Sequence, residues 1–85
     1  MSVRPATAVR KQQSARELLA LNVIALRHGK GWSQEALALA AGLHRTFIAH
    51  VERKARNISL DNLERIAAAL DVAPGELLKP RRDSA

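Results

Sequence analysis

The segment WSQEALALAAGLHRTFIAHVERKARN, residues 32–57, constrains this chain more than any other. Two short stretches with helical apolar spacing meet at Gly42. In the first, Leu37, Ala38 and Ala41 form the inner face, and in the second Ile48 and Val51 do. Ser33 can cap the first stretch, with Gln34 and Glu35 in its opening turn. Counting Gln34 as position one, Ala38 is fifth, Gly42 ninth, Ile48 fifteenth and Val51 eighteenth. A second helix that crosses directly over the first needs a small residue at the fifth position. The turn between them needs a left-handed backbone at the ninth, which glycine adopts without steric cost. The fifteenth and eighteenth positions then lie one turn apart on the buried side of the second helix.

The rest of the chain supplies helices to pack around this pair. Residues 1–13 hold Arg4, Arg10 and Lys11, one proline and no acid, and read as a mobile basic arm. Ser14 stands three residues before Glu17, a capping box that starts helix one near Ala15. Leu19, Val23 and Leu26 give that helix a buried stripe, and it ends near HGKG. The second stretch of the opening segment makes helix three, from Arg45 to about Lys54. Ser59 caps a fourth helix whose Leu60, Leu63, Ile66, Ala67 and Leu70 follow the 3.6-residue period. Pro74 suits the first turn of a short fifth helix through Leu78, after which Pro80 and a polar tail close the fold. The expected fold is all-α, with five helices in one domain over 14–79, an arm over 1–13 and a tail over 80–85.

Composition narrows the function. Alanine and leucine dominate the 47% apolar content, and Trp32 and Phe47 are the aromatic residues, which favours close helix packing over strands. There is no cysteine, and His28, His44 and His50 lack a metal-ligand spacing, so no metal and no cofactor is expected. No stretch reaches the roughly 18 apolar residues of a membrane span, and no apolar leader segment opens the chain. A soluble cytoplasmic domain follows. The formal charge of +6 favours polyanionic partners, although many basic proteins bind no nucleic acid. Nothing resembles an activated nucleophile, a carboxylate pair in a cleft or a phosphate-cradling glycine loop, and Asp61 and Glu64 read as ordinary surface acids. No catalytic role is expected.

The offsets from Gln34 to Val51 are those of a helix-turn-helix. The segment GLHRTFIAHVERKARNISLDNLERIAAALDV carries a closer resemblance. It resembles the Xre-type, or lambda-repressor-like, transcriptional regulators over roughly residues 19–78. Within them it is similar to the controller proteins of restriction–modification systems, which typically read Gly-Leu-Asp-Arg-Thr-Tyr-Ile, then Ile-Glu-Arg, then Arg-Asn. The resemblance implies a lambda-repressor-like domain whose helices two and three form the DNA-reading unit. It implies a structural ion pair between Arg27 and Glu52, a strand-clamping role for Gln34, and DNA-backbone contacts at Arg56 and Asn57. It further implies a homodimer on an inverted-repeat operator in double-stranded DNA. The dimer would form through the fifth helix and the residues before it, at Leu70, Val72, Leu77 and Leu78, which equally suit the monomer's core. RNA polymerase is a further expected partner of such a regulator.

Helix three, read residue by residue, agrees with this. With Ile48 and Val51 inward, its N-terminal end and outer face carry Arg45, Thr46, Ala49 and His50. A recognition helix enters the major groove N-terminus first, so Arg45 and Thr46 should lie closest to base edges, with His50 one turn behind Thr46. The arginine fork matches guanine O6 and N7. Arg53, Lys54, Arg56 and Asn57 follow in a basic cluster suited to phosphates. Phe47 stands where the family often has tyrosine. Without the hydroxyl it can pack on deoxyribose or a thymine methyl, or cover the core. His44 stands where the family usually has a serine or aspartate cap. An imidazole caps poorly, so this helix end is expected to lean on a phosphate. The alternative function is an antitoxin or other protein-interaction module on the same fold.

Overall fold

The first helix begins with the reciprocal bonds of a capping box. Glu17 N donates to Ser14 Oγ at 3.1 Å, and Ser14 N donates to Glu17 Oε1 at 2.9 Å. The computed structural model describes residues 13–55 and 57–81, so the expectations for the arm residues Arg4, Arg10 and Lys11, for Arg56 and for the tail beyond Arg81 lie outside the described residues. Within them the elements are α1 (Ala15–Gly29), α2 (Gln34–Ala41), α3 (Arg45–Glu52), α4 (Leu60–Ala69) and a 3-10 helix (Pro74–Leu78). Ser33 and Ser59 cap α2 and α4, their Oγ atoms accepting from Ala36 N at 3.0 Å and Asn62 N at 3.1 Å.

The described residues are all-helical, but the fifth expected α-helix is instead the five-residue 3-10 element. Pro74 contributes no N–H and Pro80 follows shortly after the end. A segment this short closes i→i+3 bonds, such as Glu76 N to Ala73 O at 2.9 Å, more readily than it propagates an α-helix.

Each α-helix ends in one way, with a left-handed residue flanked by two backbone bonds that reach back into the last turn. At α1, Gly31 has φ 71° and Trp32 N donates to Arg27 O at 3.1 Å. At α2, Gly42 has φ 72° and Leu43 N donates to Ala38 O at 2.9 Å. At α3 and α4 the left-handed residues are Lys54 (φ 62°) and Asp71 (φ 64°), with Ala55 N on His50 O and Val72 N on Ala67 O. These bonds satisfy carbonyls that a helix end otherwise leaves open.

The core gathers Leu19 and Val23 from α1, Leu37 and Ala38 from α2, Ile48 and Val51 from α3, and Leu63, Ile66 and Ala67 from α4. Leu70 and Leu77 complete it, at 3% and 0% exposure. Of the two roles the sequence left open to them, dimer face or core, both side chains lie in the core. The segment after α4 folds back on α1, so their side chains close the monomer's own core, while Val72 is partly buried and Leu78 reaches the surface. Leu60 departs in the opposite sense. It shares the apolar phase of α4 yet is 75% exposed, because it is the first helical residue and nothing described covers that turn.

Asn22 locks the C-terminal segment onto α1. It is buried, and its Nδ2 donates to the carbonyls of Leu77 and Lys79, each at 3.0 Å. Its Oδ1 accepts from Arg81 Nη1, also at 3.0 Å. A buried amide is costly unless partnered, and here both ends are.

Candidate nucleic-acid interface

The turn at Gly42 decides what α3 can present. Its left-handed backbone (φ 72°, ψ 33°) reverses the chain within three residues, so that α3 packs across the buried Ala38. Ile48 and Val51 point into the core, and Arg45 and Thr46 stand exposed at the open end of the helix. His44 is the N-cap, and its side chain makes no capping bond. Its carbonyl accepts from Phe47 N at 3.0 Å and Ile48 N at 3.3 Å. The first N–H groups of a helix have no internal partner, so those of Arg45 and Thr46 remain available to an acceptor such as a phosphate oxygen.

Phe47 is partly buried and packs on the core, its ring covering apolar surface at the helix edge. His50, one turn after Thr46, is less open than the reading of the sequence suggested. It is partly buried, and its Nδ1 is buried with no partner among the described residues, so a hydrogen bond from this ring to another molecule would have to use Nε2.

Behind α3, Arg27 and Glu52 form a two-pronged ion pair. Arg27 Nε donates to Glu52 Oε2 at 2.7 Å and Nη2 to Oε1 at 2.9 Å, with the side chains 11% and 5% exposed. Arg27 Nη1 also donates to Trp32 O at 2.8 Å, tying in the loop between α1 and α2. Gln34 joins the same carboxylate, its Nε2 donating to Glu52 Oε1 at 2.8 Å. Glu52 can only accept, so this contact fixes the amide orientation and leaves the second N–H of Nε2 for another acceptor. The first turn of α2, the end of α1 and the end of α3 thus converge on one buried acid.

The basic cluster after α3 is solvent-facing at Arg53, Lys54 and Asn57. Arg16, from the first turn of α1, donates through Nη2 to Asn57 Oδ1. That occupies the acceptor end of the Asn57 amide, and its donor end has no partner among the described residues. Neither Arg16 nor Glu35 was legible as part of this surface. Glu35 Oε1 lies 3.8 Å from Arg45 Nη1, a proximity produced by the crossing of α2 and α3. Elsewhere Lys30 sits over the Trp32 ring, 5.3 Å from its centroid, in cation–π contact.

This arrangement matches a family model described as helix-turn-helix over residues 23–77, most of the chain. The chain belongs to the helix-turn-helix family. Among its relatives is the Neisseria hypothetical transcription factor of Neisseria meningitidis serogroup B, 50% identical over 72 residues, which are 85% of this chain and 68% of that protein. The crystal structure of that factor superposes with a TM-score of 0.80, covering 82% of this helix-turn-helix chain and 80% of the other. The control protein C.SmaI of Serratia marcescens is 48% identical over 63 residues, 74% of this chain and 75% of its own length. The restriction-modification controller protein C.AhdI from Aeromonas hydrophila is 44% identical, with a TM-score of 0.70 over 73% of this chain and 94% of that one. Among the described residues of this helix-turn-helix protein, no helix is long and apolar enough to cross a membrane.

Proposed function

We propose that this protein is a sequence-specific DNA-binding transcriptional regulator of the controller type, acting in the cytoplasm as a homodimer on an inverted-repeat operator. The observation that carries the reading is the placement of Arg45 and Thr46. Both are exposed at the uncapped N-terminal end of α3, directly after the left-handed turn, where a recognition helix meets base edges. Arg45 reads guanine through its fork, Thr46 contacts a neighbouring base or phosphate, and His50 adds at most one bond through Nε2. Gln34, Phe47, Arg53, Lys54, Arg56 and Asn57 hold the sugar–phosphate backbone, and the register set by these contacts lets Arg45 reach one base pair rather than its neighbour.

A single α3 reads too few base pairs to stand out against a genome of competing sites, which is the physical reason for a twofold dimer. Of the apolar residues expected at the dimer face, Leu78 is exposed and Val72 partly so. Relatives named as control proteins support regulation of a restriction–modification operon; RNA polymerase is the partner such a regulator would act on. The test is selection of duplexes from a random pool, followed by titration on the enriched site. Enrichment of an inverted repeat that saturates at two chains supports the proposal. Enrichment of nothing, with Arg45→Ala retaining every activity of the parent, favours an antitoxin or other protein-binding module instead.

A further inference from the structure

We infer that Glu35 is a specificity-determining residue that acts through Arg45 without touching a base. The inference rests on the DNA-reading role proposed for Arg45. Glu35 is the second residue of α2 and Arg45 the first of α3, and the turn at Gly42 brings their side chains to 3.8 Å between Oε1 and Nη1. Both are largely exposed, at 73% and 69%, and the separation is too long for a hydrogen bond. The contact therefore contributes little to stability. Its consequence lies in what happens when the guanidinium engages DNA.

The carboxylate is solvent-exposed but its position in the chain keeps it beside Arg45. It occupies the first turn of α2, where the helix dipole favours negative charge, and the apolar side chains of Leu39 and Leu43 line the same shallow depression. DNA brought against the exposed end of α3 therefore meets an acid beside Arg45. In a complex on random sequence, Arg45 turns to a phosphate, and Glu35 is left uncompensated beside the polyanion. On the matching site, the fork directs its outer N–H groups at guanine while the remaining N–H groups of the same guanidinium still face Glu35. The acid is offset in the correct complex and not in the others. A like-charge penalty confined to wrong complexes raises the specificity ratio without adding a contact to the right one.

The experiment compares two duplexes, the one enriched by the wild-type chain and a scrambled version, by fluorescence anisotropy at fixed salt. Glu35→Gln should tighten binding to the scrambled duplex about three- to fivefold more than to the enriched one, the scale of an exposed charge pair. Glu64→Gln, which removes an exposed acid on α4, controls for net charge and should change both affinities by the same factor. In an Arg45→Ala background, Glu35→Gln should no longer separate the two duplexes. Equal tightening on both duplexes by Glu35→Gln in the wild-type background, or the same separation persisting without Arg45, overturns the inference. Failure of the wild-type chain to enrich any sequence overturns the DNA-reading role itself, and the inference with it.

Discussion

Glu52 holds Gln34 across the junction of α3 and α2, with Gln34 Nε2 donating to its carboxylate at 2.8 Å. The acid that pairs with Arg27 in the interior thus also sets the side chain proposed to grip a DNA strand. Loss of the acid should be felt twice, in the stability of the fold and in the geometry of the surface.

Glu52→Ala leaves the Arg27 guanidinium buried without its partner. Breaking one side of a buried pair costs about 3–5 kcal/mol, a large fraction of the roughly 5–15 kcal/mol that holds a domain together. Thermal denaturation should therefore show a loss of at least about 10 °C, at roughly 4–8 °C per kcal/mol for a domain this small. An unchanged midpoint would remove the structural role assigned to the pair.

Gln34→Ala separates the two consequences, because it spares the ion pair. Its melting temperature should stay within a few degrees of the parent. Affinity for the enriched and scrambled duplexes should fall by a similar factor, since a backbone contact carries no sequence information. A selective loss on the enriched duplex would instead place Gln34 against a base.

Arg53→Ala and Lys54→Ala each remove one exposed cation from the cluster after α3. Each should lower the slope of log affinity against log salt by about one per chain, and so by about two for the dimer on its operator, while leaving the preferred sequence unchanged. Titrations across a salt series read this directly, and a slope that does not move for either variant excludes that side chain from phosphate contact.

Asp71 holds a left-handed conformation (φ 64°) at the end of α4 while remaining exposed. Asp71→Gly relieves steric strain of up to about 1 kcal/mol, partly offset by the greater freedom of glycine in the unfolded chain. A small rise in the denaturation midpoint is expected. Gly42→Ala has the opposite sign, about 1–2 kcal/mol destabilising at φ 72°. Parallel urea titrations of the two variants give the comparison, and the same sign for both would contradict it.

These helix ends show what the sequence made legible and what it concealed. Gly31 and Gly42 announce left-handed positions because glycine is cheap there. Lys54 adopts the same conformation with no compositional signal, and Asp71 with only the mild left-handed preference of its short polar side chain, the backbone bonds at the helix end holding both. The capping box at Ser14, the inward turn of Ile48 and Val51 and the exposure of Arg45 follow from spacing alone, because local geometry fixes them. Leu60, Leu70 and Leu77 could not be sorted between core and surface by period. Leu60 and Leu70 share one periodic stripe and Leu77 stands in the short element after it, so only the way the chain packs decides which are covered. The contacts of Asn22 with Leu77, and of Arg16 with Asn57, join residues far apart in sequence and leave no local trace. The pairing of Glu35 with Arg45 depends on the crossing of two helices, which spacing predicts only as a topology.

The most direct test of the recognition surface is N7-methylation interference on the enriched operator, compared between the wild-type chain and Arg45→Ala. Methylation of one guanine in each half-site should block the wild-type protein, and the same modification should cause no further loss for the variant. Binding by the wild-type chain that ignores guanine methylation, or a variant still sensitive to the same two guanines, would contradict the placement of Arg45 in the major groove.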